Sequence, residues 1–452
     1  MNPLFKPFGT LFCSLRRQIL FCPLLFLFSS AGAQAPTQWW LVMHDPHLNA
    51  LMEEAFVSNI DVRMAQDKML SARAAYRASL GAFLPQLEVD AGWQREQTSR
   101  HLTTLVTPAT FESYYSGLLK GSLTIDIFGQ LRKASNAQHA AFKAQDIERS
   151  VVKLTLSKEI ASAYISLCST KMQIEVLSAN IQQQEEIVKI TQARYEAGLV
   201  SKLDVEQAFT TLCSTRADIT QYRSQENAYL AQLAVLLETD PQSLDERLVV
   251  ADHLPYKAIM IPDSLAMEHL RERPDLRQAE WLIEAQRATL GATQKEWLPT
   301  FLVNGYIGLM AHDTREMTHH HSVTWMVEPT MQWTLFSGGQ RVQAIKQARY
   351  ALNQQIDQYN LLLHTAIQQV ETSATAYRQC CLQVNALEEA VGHAETSLEL
   401  SSELYKMGLA SFINVAQAQQ DVLQYQTSWV AAQTSALQNY ISFMVATSRG
   451  IE

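Results

Sequence analysis

The stretch 194–208 (RYEAGLVSKLDVEQA) returns at 404–418 (LYKMGLASFINVAQA) with every matched residue displaced by the same step, so the chain consists of two related halves. Tyr195, Gly198, Leu199, Ser201, Val205 and Gln207 match Tyr405, Gly408, Leu409, Ser411, Val415 and Gln417 without a gap. A second set agrees: Arg63, Ala65, Arg73, Leu84, Pro85 and Val89 line up with Arg277, Ala279, Arg287, Leu298, Pro299 and Val303. A period near half the chain is too long for a solenoid of small units and reads as an ancient duplication folding as one body.

Each half reads helix, apolar segment, helix, turn, helix. Neither proline nor glycine occurs from Ala134 to Tyr195, and at about 1.5 Å per residue an unbroken helix there reaches roughly 90 Å. Beyond it Val205, Ala208, Leu212, Thr215, Ile219, Tyr222, Glu226, Tyr229, Leu233 and Leu236 alternate in steps of three and four, a heptad seam. The second half repeats this register from Val415 through Ala418 and Val422 to Phe443. Two long coiled hairpins follow, with Gly198 and Gly408 ending one helix of each and Ser201 and Ser411 capping the next. The tips span 195–203 and 405–413. The outward faces are rich in Ala, Gln, Ser and Asn, which suits either lateral packing of helices or a solvated coiled coil.

The chain opens with Lys6, Arg16 and Arg17, an apolar run from Ile19 to Phe28 and small residues at 31–33. This is a secretory signal peptide over 1–33, cleaved after Ala33 or, alternatively, Ala35. Its three basic residues leave with it, taking the formal charge from −9 to −12 and excluding the basic footprint of a nucleic-acid binder. The four cysteines left, Cys168, Cys213, Cys380 and Cys381, have neither metal nor redox spacing and read as small buried helix residues. No later stretch approaches the run of about 18 apolar residues a spanning helix needs. If the mature chain crosses a membrane, strands must do it, since lipid admits only helices and closed barrels.

Strands are present. Leu87, Val89, Ala91 and Trp93 alternate with Glu88 and Asp90, and Leu119, Leu123, Ile125 and Ile127 with Lys120, Ser122, Thr124 and Asp126. The second half has Phe301, Val303, Ile307 and Leu309, then Val323, Trp325, Val327, Met331, Trp333 and Leu335. Segments of about ten residues, apolar on one face, polar on the other and aromatic near the ends, are the signature of a transmembrane barrel. Trp93, Tyr114, Tyr115, Trp325 and Trp333 are its candidate aromatic belt, in contact with outer-membrane lipid. The smallest membrane barrels have about eight strands, so several chains must pool their four; two, three and four copies all remain open on this ground. The predicted layout is a first repeat over 34–240 (strands 86–99 and 113–128), a connector over 241–262 where the helical pattern stops, and a second repeat over 263–452 (strands 300–311 and 322–336).

Duplicated helix and strand hairpins, Tyr-x-x-Gly-Leu tips, Leu-Pro before the first strand of each half, and Phe-Gly or Phe-Ser-Gly-Gly after the second resemble the TolC-like outer-membrane efflux proteins over the whole mature chain. Trp39-Trp40, Asp45-Pro46-x-Leu48 and Arg273-Pro274-Asp275-Leu276 look like the branch that serves resistance-nodulation-division pumps. The resemblance implies a mainly α fold with a transmembrane β part: a homotrimer whose strands form a twelve-stranded β-barrel and whose helices form an α-barrel tunnel through the periplasm. It implies a passive exit duct for small molecules, joined through a periplasmic adaptor to an inner-membrane pump. Tyr195, Gly198, Leu199, Tyr405, Gly408 and Leu409 are the expected adaptor contacts, and Tyr405, Gly408, Asn414, Gln417 and Asp204 the expected periplasmic gate. Relatives carry carboxylates where Asn414 and Gln417 stand, so the expected gate is neutral and held by hydrogen bonds and packing. The cysteine of a lipid anchor is missing, because Cys22 precedes much of the apolar run.

No catalytic arrangement and no cofactor motif is apparent, so the chain does not read as an enzyme. His319–His321 read as a surface loop, since adjacent side chains cannot converge on one ion, and Phe336-Ser337-Gly338-Gly339 as a strand-to-helix corner without the lysine of a phosphate loop. The alternative function is a periplasmic coiled-coil adaptor or scaffold without a barrel.

Overall fold

The computed structural model describes residues 38–97, 111–248, 254–256, 259–261 and 270–448, with residues 111 and 112 described by backbone alone. The signal peptide, the strand end at 98–99 and parts of the connector lie outside these residues. A 3-10 turn (Trp39–Met43) leads into α1 (Pro46–Ser58), α2 (Ile60–Gly81), β1 (Gln86–Gln97), β2 (Phe111–Ile125), α3 (Gln130–Glu196), α4 (Lys202–Leu237) and the short α5 (Pro241–Arg247). The second half supplies α6 (Pro274–Lys295), β3 (Thr300–Ala311), β4 (Val323–Gln332), α7 (Gln340–Lys406) and α8 (Phe412–Thr447).

The duplication is metric as well as sequential. Both α2 and α6 have 22 residues, both α3 and α7 have 67, and both α4 and α8 have 36. The offset between halves is 214 at Ile60 and Pro274 and 210 at Gln130 and Gln340, so the halves differ in length only within the strand hairpin. A helix of 67 residues is roughly 100 Å long at about 1.5 Å per residue.

The four strands form one antiparallel sheet in the order β1-β2-β3-β4. Its register puts Val89, Leu119, Ile307 and Trp325 on one rung, and Leu87, Gly121, Gly305 and Val327 on the next. Every odd-numbered strand residue therefore shares one face, because side chains alternate with period two. That face is apolar and uncovered: Val89 is 78% exposed and Trp325 71%. The opposite face is polar. Lys120 pairs with Asp90 at 3.0 Å, and Asn304 lies between Ser122 and Glu328.

β2 and β4 end earlier than the alternation predicts. After Ile125 the carboxylate of Asp126 accepts the backbone N–H groups of Leu131 (3.2 Å) and Arg132 (2.9 Å), which draws the chain out of the ladder to start α3 and leaves Ile127 outside the sheet. After Gln332 the chain runs to a corner at Gly338 and Gly339, with φ of 58° and 84°, a backbone region costly for any residue with a Cβ. The connector also differs from expectation. Proline presets the first turn of a helix, and Pro241 opens α5, which buries Leu244 and holds Arg247 2.6 Å from Glu54.

The main core sits at mid-height on α3, where Ile160, Tyr164, Ile165 and Cys168 meet the N-terminal segment, the end of α4 and the stretch of α8 around Tyr440. Trp39 is fully buried and donates its indole N–H to Ser157 Oγ at 3.2 Å. Asp45 caps α1 and accepts the hydroxyl of Tyr164 at 2.7 Å. Burial, ahead of the nearby Cys168 and Asp45, raises the Tyr164 pKa far above the ordinary phenol value, so the hydroxyl stays a donor. Tyr164→Phe should lower unfolding stability by about 1–3 kcal/mol, the cost of leaving a buried acceptor unmet; thermal unfolding beside the exposed control Ser435→Ala measures it.

The seam of α4 holds from Val205 to Ile219, but Tyr222, Glu226 and Tyr229 are only half-buried, and burial resumes at Leu230, Leu233, Ala234 and Leu237. A straight helix drifts about 20° per heptad from a 3.5-residue repeat, and the drift carries the stripe one position round. The Gln- and Asn-rich faces are lateral contacts: Asn180 Nδ2 donates to Gln426 Oε1 and Gln173 Nε2 to the Thr427 carbonyl, each at 2.9 Å, tying α3 to α8. Of the cysteines, Cys168 is buried, Cys380 and Cys381 are half-buried, and Cys213 is exposed, against expectation.

Candidate functional site: the hairpin tips

Both hairpins turn through the same motif. Gly198 N–H donates to Tyr195 O (2.8 Å) and Leu199 N–H to Arg194 O (2.9 Å); Gly408 to Tyr405 O (2.9 Å) and Leu409 to Leu404 O (2.8 Å) repeat it. This pattern needs a left-handed residue at the turn, and φ is +74° at Gly198 and +79° at Gly408. Gly408→Ala should therefore cost about 1–2 kcal/mol locally, read as faster hydrogen exchange at residues 404–412 with the remainder unchanged.

The matched tyrosines then part company. Tyr195 is 40% exposed, whereas Tyr405 is 1% exposed. Tyr405 packs against Phe412 with ring centroids 5.9 Å apart and donates to Thr191 Oγ1 at 3.3 Å. Arg194, at the end of α3, lies over the Tyr405 ring with its guanidinium 4.8 Å from the centroid. It also donates to the carbonyls of Tyr405 and, at 3.1 Å, of Lys406. Arg194 thereby adds a charged donor to the carbonyls at the C-terminus of α7, where a cation is favoured. A Cβ on Gly408 would stand 3.4 Å from Arg194 Nη2, so that glycine also makes room for the clamp. Arg194 was not among the expected site residues; its signal is a mismatch, since the matching position of the second half is Leu404.

The other expected gate residues make local contacts. Asp204 completes a capping box with Ser201, accepting Ser201 N–H at 3.1 Å. Asn414 is exposed, its backbone N–H donating to Ser411 O at 3.1 Å, while Gln417 donates to Asp421 Oδ1 at 2.9 Å. A carboxylate thus stands one turn beyond Gln417. Leu199 and Leu409 project from the two tips into solvent.

The aromatic residues of the sheet do not form one belt. Trp93 opposes Tyr115 at the loop end of the apolar face. Tyr114 falls opposite Gln94 on the polar face, because neighbouring strand residues point to opposite sides. Trp325 is two rungs further in, and Trp333, beyond β4, donates to the Trp297 carbonyl at 3.0 Å at the helix end. Among the described residues no helix is long and apolar enough to cross a membrane, and no group of three or more His, Cys, Asp or Glu is placed to hold a metal ion.

The family description "Outer membrane efflux protein" matches residues 51–238 and again 265–448, once per half. The chain belongs to the outer membrane efflux protein family. Over 424 residues it is 23% identical to the toluene efflux pump outer membrane protein TtgC of Pseudomonas putida, covering 93% of this chain and 87% of the relative. It is also 23% identical to the cation efflux system protein CusC of Escherichia coli over 414 residues, 91% of this chain and 88% of CusC. The solved outer membrane protein VceC of Vibrio cholerae has the same fold, with a TM-score of 0.84 at 23% identity, covering 93% of this chain and all of that one. The protein is an outer-membrane efflux channel reaching into the periplasm. The names of these relatives describe outer membrane proteins and components of efflux systems. A barrel-less periplasmic scaffold would leave the exposed apolar face of the sheet without a purpose.

Proposed function

We propose that three copies of this chain close their sheets into one barrel across the outer membrane and their hairpins into a tunnel below it. The duct is passive and is driven by an inner-membrane pump of the resistance-nodulation-division type through a periplasmic adaptor. One observation carries the reading: a four-stranded sheet with an uncovered apolar face, unable to close alone, stands at one end of two 67-residue helices. Their other end exposes apolar tips. Purified protein should run as a trimer on unboiled gels, dissociate on heating and conduct ions in planar bilayers. A detergent-independent monomer without conductance would overturn the reading.

In this reading Trp93, Tyr115 and Trp333 anchor the barrel near the lipid interfaces. Tyr195, Gly198, Leu199 and Leu409 present the adaptor surface, and Tyr405 and Gly408 set the gate through Arg194. Exposed apolar side chains at both tips favour docking, because a partner removes them from water. Leu199→Glu with Leu409→Glu should abolish co-purification of the adaptor while leaving trimer and conductance unchanged. Relatives equally similar to this chain are named for toluene and for cations, so the cargo is set by the pump and not by the duct.

A further inference from the structure

We propose that a groove between α3, α7 and α8, within four helical turns of the tips, binds a small organic cation: an ammonium or guanidinium group on an apolar stem that also carries a hydrogen-bond acceptor. The groove has a volume of about 500 Å³. Ile187, Ile190, Leu398 and Val422 give it apolar lining, and Glu186, Glu395, Glu399 and Glu403 face it against the single cation Lys406.

Glu395, Glu399 and Glu403 follow one another at four-residue steps, the spacing at which like charges on a helix repel. Among the described residues Glu186, Glu399 and Glu403 form no ion pair, and Glu395 accepts only the neutral amide of Gln426, at 2.7 Å. Gln419 also lines the groove. It is 3% exposed, and its carboxamide Nε2 has no hydrogen-bond partner. A buried donor left unmet is unfavourable and awaits an acceptor.

The first half of the chain is an internal control. At the 210-residue offset, Glu395, Glu399, Glu403 and Gln426 correspond to Glu185, Lys189, Ala193 and Arg216. There Arg216 neutralises Glu185 at 2.6 Å. The second half keeps the carboxylate, replaces its arginine by glutamine and turns the lysine and the alanine into two further acids. Gln419 likewise stands where the first half has Phe209, which is exposed. Unneutralised charge, apolar floor and unmet donor therefore coincide in one half only.

The site is a property of one chain and does not rest on the export reading. The test is calorimetric titration of the purified full-length oligomer with propranolol, whose naphthyl ring, ether and hydroxyl oxygens and secondary ammonium supply the three features, beside 1-naphthyloxyacetic acid, the same ring with a carboxylate. Propranolol should bind, more weakly as salt rises, and the acid should not. Glu399→Lys with Gln426→Arg, which installs the residues of the first half, should weaken propranolol by about tenfold or more. Glu403→Gln alone should weaken it less, and Arg216→Gln should leave it unchanged. No binding, equal binding of the acid, or undiminished affinity in the double variant and in Glu403→Gln would each overturn the proposal. Unchanged oligomer and conductance in these variants separate its failure from failure of the channel reading.

Discussion

Ile307→Arg is expected to abolish assembly in the outer membrane, while Asn304→Lys, three residues away on the other face, leaves it intact. Ile307 lies on the rung of Val89, Leu119 and Trp325 and is 55% exposed with no protein over it. Arginine on the lipid face of a barrel costs about 2–4 kcal/mol near the midplane. In the proposed trimer three copies would raise this to roughly 6–12 kcal/mol, comparable with the entire stability of an ordinary domain. Asn304 sits between Ser122 and Glu328, so a lysine there gains a carboxylate beside it. Density-gradient fractionation and the heat-dissociable band on gels report the outcome. Wild-type yields for Ile307→Arg would mean that this face never meets lipid.

Arg194→Ala is expected to loosen the tips and raise resting conductance. The guanidinium bonds two carbonyls at the end of α7 and lies on the Tyr405 ring. Hydrogen bonds to charged groups contribute about 1.5–3 kcal/mol each when buried, and a cation over an aromatic ring about 0.5–2 kcal/mol. Arg194 is half-buried, so the lower end applies, about 2 kcal/mol per chain, which is roughly a thirty-fold shift between docked and released hairpins. Arg194→Lys should restore little, since a single ammonium cannot span two carbonyls and stack on the ring together. Planar-bilayer recordings at fixed salt test this. Unchanged single-channel conductance and open time in Arg194→Ala, with the trimer intact, would remove the clamp from any account of gating.

What could be read from the sequence follows the range of the interactions involved. The turn glycines were legible because Gly198 and Gly408 answer to a backbone need inside one turn. The strand faces were legible because Val89, Leu119, Ile307 and Trp325 obey a two-residue alternation. Strand ends were less so, because Asp126 leaves the ladder to cap α3, a competition invisible to periodicity. The clamp was hidden, since Arg194 and Tyr405 are 211 residues apart and meet only after both hairpins form. Asp421 was hidden for a related reason: it lies just past the matched stretch and is brought beside Gln417 by the helical turn.

Equal helix lengths in the two halves, 67 with 67 and 36 with 36, make the molecule a pair of matched legs. Trimming one leg would leave its foot hanging above the other, so any change of reach has to be written twice, at sites 210 residues apart. Excising seven residues from each of the four long helices would shorten the stance by roughly 10 Å at about 1.5 Å per residue. The depth to which the channel reaches into the periplasm is therefore a quantised property of its gene, adjustable only in synchronised steps.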